Sequence, residues 1–180
     1  MNRFDASFLP RGIAVLTLAF SASALADCVP VQGKITNNAI AQGTTLGVVA
    51  LVYGPKNHAV KLKCALVGID QGASFPQLHF IHSISCDDAE SDLAYDGSGK
   101  VPVHSRIVLN TDGQAGPPQN NTQSFTFTES SVPIGGGLGL FEGATGGQLD
   151  IRGAVYKSPT DDGDIGSIDM TFQGNVCYGQ

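Results

Sequence analysis

The chain is long enough for one domain with a substantial hydrophobic core, since it has 180 residues of which 42% are hydrophobic. It is acidic, with 16 Asp and Glu against 10 Lys and Arg and a formal net charge of −6. Because no basic run is present to neutralise phosphate groups, the composition argues against nucleic acid or an anionic membrane surface as a partner.

The first 26 residues have the pattern of a secretory signal peptide. Arg3 and Arg11 accompany the apolar run "GIAVLTLAF", and small residues at Ala24 and Ala26 form an A-x-A cleavage site. The run is shorter than the roughly 20 apolar residues that span a bilayer, and no later segment is long and apolar enough to span one. The sequence therefore predicts cleavage after Ala26, no membrane insertion, and a secreted or periplasmic protein in which residues 27–180 form a single domain.

Short β-rich runs recur between clusters of Gly, Pro, Asn and Asp, and no segment after residue 26 has a convincing helical period. These runs predict an antiparallel meander that closes into an eight-stranded β-barrel, because closure removes the two unpaired edges of an open sheet. A β-sandwich is the alternative. The interior of an eight-stranded barrel is either filled by side chains or able to hold one small ligand. The predicted strands cover residues 28–36, 45–53, 59–69, 78–86, 103–110, 123–129, 147–156 and 166–177.

Three polar segments between these strands are predicted to be surface loops, at residues 86–100, 110–121 and 158–164. The last of them, "SPTDDGD", is acidic but lacks the alternating Asp spacing and the distant Glu of a calcium-binding loop. We therefore expect a plain turn there and no metal site.

The chain has four cysteines, Cys28, Cys64, Cys86 and Cys177. An even number in an exported chain indicates two disulfides, and three pairings are possible. Their wide spacing, without a C-x-x-C pair, argues against zinc. We favour Cys28–Cys177, which joins the two ends of the domain, and Cys64–Cys86, which joins neighbouring strands, although the sequence alone leaves the pairing open.

The segment "IGGGLGLFEGATGGQLDIRG", residues 134–153, is rich in glycine. A phosphate-binding loop needs Lys and Ser or Thr after its glycines, or a helix whose N-terminus meets the phosphate, and here an alternating strand follows. Leu138, Leu140 and Phe141 are apolar and therefore unlike a linker. We expect them to form a buried plug at a barrel corner, with glycine permitting tight bends and close backbone approach.

This segment, following the aromatic strand "SFTFTE", resembles the G-G-x-G-x-F-x-G-A-x-G segment shared by allene oxide cyclases and dirigent proteins. The resemblance covers residues 124–153 and, more weakly, 166–177. It implies an eight-stranded antiparallel barrel with a cavity for an apolar small molecule, and it implies a homo-oligomer, since members are often dimers or trimers. Allene oxide cyclases close a ring in an oxidised fatty acid, and dirigent proteins steer the coupling of phenolic radicals. The shared segment carries no catalytic group, so it favours the fold more than the activity.

Alternation along two predicted strands identifies candidate site residues. In "SFTFTE", Phe125, Phe127 and Glu129 share one face, and in "LHFIHSISC", Phe80 and His82 share one face. If these faces point inward, desolvation raises the pKa of Glu129 and makes it a usable proton donor or acceptor, and His82 can protonate or orient a ligand. The alternative roles are a rim carboxylate for Glu129 and a hydrogen-bonded structural imidazole for His82.

A tyrosine and a pair of histidines also carry groups that take part in catalysis or metal binding. Tyr53 offers a hydroxyl at a barrel mouth, or simply ends its strand. His79 and His82 are three residues apart on a strand and so point to opposite faces, which argues against a copper–zinc dismutase-like site.

Three functions follow. The first is an exported, cofactor-free barrel that binds an apolar small molecule (a lipid, a phenolic or a polyketide-like compound) in a lumen lined by Phe80, Phe125 and Phe127. The second is a cofactor-independent cyclase or isomerase in which Glu129, His82 and Tyr53 are candidate catalytic groups. The third is a packed barrel that acts on a protein partner through its outer loops.

Overall fold

The structure, a computed structural model, describes residues 27–41, 43–87, 104–119, 123–158 and 165–179. The predicted signal peptide lies outside the described residues. So do most of the loops predicted at 86–100 and 158–164, and residues 120–121 of the loop predicted at 110–121.

Eight strands form one closed antiparallel barrel in chain order, with the last strand paired to the first. This confirms the predicted eight-stranded barrel, and the β-sandwich alternative is wrong. The strands are β1 (Asp27–Ala41), β2 (Thr44–Tyr53), β3 (Val60–Asp70), β4 (Gln77–Asp87), β5 (Ser105–Ala115), β6 (Gln123–Pro133), β7 (Ala144–Lys157) and β8 (Ile165–Tyr178). Among the described residues no helix is long and apolar enough to cross a membrane.

Strict alternation of side chains builds the barrel interior. Along β3, for example, buried and exposed residues alternate from Val60 to Gly68. The same period on the other strands gives one continuous core of aliphatic and aromatic side chains, centred on residues such as Leu66, Leu109 and Phe172. The packed core therefore lies inside a single sheet wrapped around itself.

The strands are longer than their local composition indicates. The loop predicted at 110–121 is wrong in its first half, because β5 continues to Ala115 with Thr111 and Ala115 buried inside the barrel. β1 likewise continues beyond the predicted end at residue 36 as far as Ala41, and β6 continues beyond residue 129 to Pro133. Every strand in a closed barrel has a partner on both sides, and this pairing extends strands through polar stretches that lack β-propensity of their own.

The glycine-rich segment closes one end of the barrel, which we call the plug end. A short 3₁₀ turn at Gly139–Phe141 places Phe141 in the interior, where it is fully buried. Gly139 has φ +61°, and a Cβ at this position would lie 2.6 Å from the Ser105 Oγ, so the turn requires glycine. The predicted burial of Leu138 is wrong: its side chain is 47% exposed, while its backbone pairs with Arg106 on β5.

Two disulfides, Cys28–Cys177 and Cys64–Cys86, confirm the favoured pairing. Each joins residues that lie directly opposite each other on paired strands, β1 with β8 and β3 with β4. Two disulfides are typical of proteins from oxidising compartments.

Candidate functional site

A cavity of about 210 Å³ lies in the lumen at the end opposite the plug, where β1, β3, β5 and β7 end and β2, β4, β6 and β8 begin. We call it the lumen cavity. Its lining is mainly apolar and includes several buried polar side chains. The lining residues are Asn37, Ala39, Gly43, Thr44, Thr45, Asp70, Leu78, Phe80, His82, Phe125, Phe127, Glu129, Val155, Ile168 and Met170.

The three phenylalanines singled out from the sequence all line this cavity. Phe80 stacks on the His82 ring, with centroids 5.5 Å apart and planes 8° from parallel. Phe125 meets Phe75 edge to face at 5.6 Å. These contacts give the cavity an aromatic wall that suits the flat face of an apolar ligand.

Glu129 is a buried carboxyl group on β6. Its side chain is 7% exposed and faces inward, opposite Gly113 on β5. A Cβ at position 113 would overlap the Glu129 Cγ, so the glycine makes room for the carboxyl side chain. Burial raises the pKa of Glu129 to about 7, because the interior solvates the charged carboxylate poorly. The carboxyl group is therefore in a state to gain or lose a proton near neutral pH.

His82 is a buried imidazole on β4, opposite Gly68 on β3. Its Nδ1 is hydrogen-bonded to the Thr111 Oγ1 at 3.0 Å, and that hydroxyl is bonded to the Ser131 Oγ at 2.6 Å. Burial lowers the pKa of His82 to about 4, so the ring is neutral at neutral pH. The chain of two hydroxyls fixes the orientation of the ring from outside the cavity lining.

Glu129 and His82 line the same cavity. The cyclase or isomerase alternative depends on this, because a proton donor and a proton acceptor must reach one ligand. Their pKa values of about 7 and about 4 mean that only the carboxyl changes charge near neutrality.

Tyr53 lies at the plug end of the barrel. Its hydroxyl is 2.8 Å from the Tyr178 hydroxyl and donates to the Leu140 carbonyl oxygen at 3.4 Å, and its ring packs edge to face on Phe141. The beginning of β2, at Thr44 and Thr45, is the part that reaches the cavity, and Tyr53 is at its other end. The structure therefore does not bring Tyr53 to Glu129 and His82, and its hydroxyl fastens the plug.

Four buried polar residues of the cavity region were not identified from the sequence: Asn37, Thr45, Thr111 and Ser131. All four occupy inward-facing positions of alternating strands, where apolar residues are the rule. Three of them lie beyond the predicted ends of β1, β5 and β6. These residues could have been found by continuing the inward-facing alternation past the apolar part of each strand. The predicted strands ended too early for this.

Inward-facing glycines oppose the large side chains of the cavity. Gly47 faces Asn37, Gly68 faces His82, Gly113 faces Glu129 and Gly153 faces Phe127, each as the directly paired residue on the neighbouring strand. A Cβ at any of these glycines would be too close to the opposing side chain. Each of these side chains consequently packs against backbone that carries no side chain. The same pairing occurs outside the cavity lining, where Gly33 faces Phe172.

Within the described residues no three His, Cys, Asp or Glu side chains come together as a metal-binding group. His79 points away from the lumen and its Nε2 is 2.9 Å from the Asn110 Oδ1, whereas His82 points inward. The two histidines therefore lie on opposite faces, as the alternation predicted.

No protein-family model, no curated protein and no solved structure matches this chain.

Proposed function

We propose that this protein is an exported barrel that binds a small, mainly apolar molecule in the lumen cavity. One observation carries the proposal: the barrel is filled by apolar side chains over most of its length and leaves about 210 Å³ unfilled beside three phenylalanines. Ligand sites are typically concave and apolar, with a few converging polar groups, and this cavity has that composition.

The volume favours a compact ligand. An engineered cavity of about 150 Å³ in another protein holds benzene, so a space of this size suits a molecule of one or two rings. A phenolic or a small cyclic compound fits this description better than a long-chain lipid does. The resemblance to allene oxide cyclases and dirigent proteins supports a barrel that is used in this way.

Export is supported by two independent features. Residues 1–26 have the charged, apolar and small-residue regions of a secretory signal, and both disulfides join cysteines of the barrel itself. We place the protein in the periplasm or outside the cell.

The proposal is tested first by native mass spectrometry of protein purified from its own host, where a co-purified small molecule is expected. A second test uses naphthalene as a probe and measures its dissociation constant for the wild type and two variants. Ile168→Phe fills the cavity and is expected to weaken binding at least about ten-fold, or about 1.4 kcal/mol.

Val48→Phe is the matched control, because Val48 points outward on β2 and is 67% exposed. It should bind naphthalene as the wild type does. Equal binding by the Ile168→Phe protein would contradict a site in the lumen.

A cofactor-independent cyclase or isomerase is the second candidate. It is favoured by the placement of Glu129 and His82 in one cavity, with a carboxyl pKa of about 7. Glu129 would deliver and recover a proton while the walls restrict the ligand to one conformation. Once a ligand is known, Glu129→Gln separates the candidates: unchanged turnover leaves only the binding function.

The third alternative, a packed barrel without a cavity, does not agree with the unfilled lumen. A protein partner for its outer loops would be detected in the same mass spectra as a co-purified chain.

A further inference from the structure

Two buried polar atoms among the described side chains have no hydrogen-bond partner, and both belong to residues of the lumen cavity. They are the Asn37 Oδ1 and the Glu129 Oε2. Buried polar groups in folded proteins are almost always paired, and an unpaired one costs stability. Two such atoms around one cavity indicate that a bound molecule supplies their partners.

Asn37 is held in a defined orientation. Its side chain is 2% exposed and its Nδ2 donates to the Thr45 Oγ1 at 3.3 Å, which leaves the carbonyl oxygen as the remaining polar atom. Gly47 lies directly opposite on β2, and only a glycine leaves room for the Asn37 Cβ. The Asn37 Oδ1 is thus an acceptor without a donor among the described residues.

Asn37 and Glu129 lie on well-separated strands of the cavity wall. β1 and β6 are separated by β7 and β8, which contribute the apolar side chains Val155, Ile168 and Met170. A ligand whose apolar body rests on this wall can extend one polar group towards each of the two residues.

The charge of the lining limits the nature of those polar groups. The described lining residues include Asp70 and Glu129 but no Lys or Arg. A ligand carboxylate would therefore find no positive partner among these residues, whereas a hydroxyl or an amine can donate to the unpaired oxygens.

We propose that the ligand is a neutral or cationic molecule of one or two rings with two hydrogen-bond donors, one bound by Asn37 and the other by Glu129. This inference rests on the proposed binding function and adds a recognition role for Asn37.

The test compares naphthalene, the dihydroxynaphthalene isomers and the corresponding dimethoxynaphthalenes by titration calorimetry. The ethers keep the ring and its oxygens but cannot donate. At least one diol is expected to bind about ten-fold or more tightly than its ether. Asn37→Leu should remove most of that advantage, measured as the ratio of diol to ether affinity for the same variant, while Asn175→Leu, on the outer face of β8, should keep the advantage.

The possible failures are distinguishable. If no naphthalene derivative binds, the proposed function itself fails. If naphthalene binds and every diol binds no better than its ether, the cavity is a binding site and the two-donor inference is wrong.

A measurement on the wild type keeps the test decisive even if the Asn37→Leu chain does not fold. The side-chain amide resonances of Asn37 should shift further on addition of the tightest diol than on addition of its ether, because both place a ring in the cavity and only the diol donates a hydrogen bond. Equal shifts in the two titrations would overturn the role given to Asn37.

Discussion

Glu129 and His82 are buried in the same cavity, and burial shifts their pKa values in opposite directions. The pKa of Glu129 rises from 4.5 to about 7. Its contribution to stability is therefore present below pH 4.5 and is lost as pH rises to about 7. The pKa of His82 falls from 6.5 to about 4. Its contribution to stability is therefore present above pH 6.5 and is lost as pH falls to about 4. Between pH 4.5 and 6.5 the folded chain keeps one proton on Glu129 and the unfolded chain keeps one on His82, and the two effects cancel.

Glu129→Gln should expose this compensation. Relative to the wild type, we expect the free energy of unfolding of the variant to rise by about 3 kcal/mol between pH 4.5 and pH 7, at 1.36 kcal/mol per pKa unit. Urea denaturation at a series of pH values measures the difference. Glu142→Gln, at an exposed glutamate, is the control and should follow the wild type. A pH-independent difference between Glu129→Gln and wild type would show that the carboxyl does not titrate as described.

Thr111 links His82 to Ser131, and its hydroxyl is completely buried. Thr111→Val leaves both partners unpaired at nearly the same side-chain volume, so we expect a loss of about 1–3 kcal/mol in the free energy of unfolding. Thr111→Ser keeps the hydroxyl and should be the more stable of the two variants in urea denaturation. Equal stability of the valine and serine variants would mean that the hydroxyl bridge contributes nothing.

At the residue scale, alternation grouped five site residues that lie inside recognised strands, but it did not identify Thr45, which also lies inside one. Phe80 and His82 were assigned to one shared face, and Phe125, Phe127 and Glu129 to another. The structure shows that both faces line the lumen cavity. The sequence did not identify Asn37, Thr111 and Ser131, because the composition around them is polar. Their strands are extended by pairing with the neighbouring strands of the barrel.

At the scale of the strand pair, the recurring device is an inward glycine opposite a large side chain. It lets the Phe127 ring approach the backbone of β7 closely, because a Cβ at Gly153 would overlap the ring and would lie 2.8 Å from the Asp169 carbonyl oxygen. The pairing of glycines with large side chains thus determines the positions of the side chains that line the cavity.

Gly153→Ala should therefore displace Phe127 and disturb the cavity. We expect a loss of about 1–3 kcal/mol in the free energy of unfolding from overpacking, together with weaker naphthalene binding. Thermal denaturation and calorimetry measure the two effects.

Gly146→Ala is the matched control on the same strand, because a Cβ there meets only the Cys177 Cβ at 3.8 Å. It should bind naphthalene normally. If both variants behave alike, the glycine at position 153 has no special role in shaping the cavity.

At the scale of the whole molecule, barrel closure is reinforced covalently. Cys28–Cys177 joins β1 to β8, the first and last strands, across a sequence separation of 149 residues, whereas Cys64–Cys86 spans 22. In the loop-entropy model the longer loop restricts the unfolded chain more.

Replacement of Cys28 and Cys177 together by serine should lower the free energy of unfolding by about 5 kcal/mol, since the model gives about 4.7 kcal/mol for a 100-residue loop. Denaturation in urea under oxidising conditions measures the loss. A decrease below about 1 kcal/mol would show that pairing of β1 with β8 alone holds the barrel closed.

The sequence by itself determined the class of architecture, the faces of the central strands and the number of disulfides. These depend on local periodicity and on the number of cysteines, both of which are visible in a single sequence. Only the tertiary structure decided how far each strand runs, that Tyr53 belongs to the plug and Asn37 to the cavity, and that the lumen is left unfilled at one end. Those properties arise where side chains from non-adjacent strands meet across the lumen, and no pattern along a single strand records which residues will face each other there.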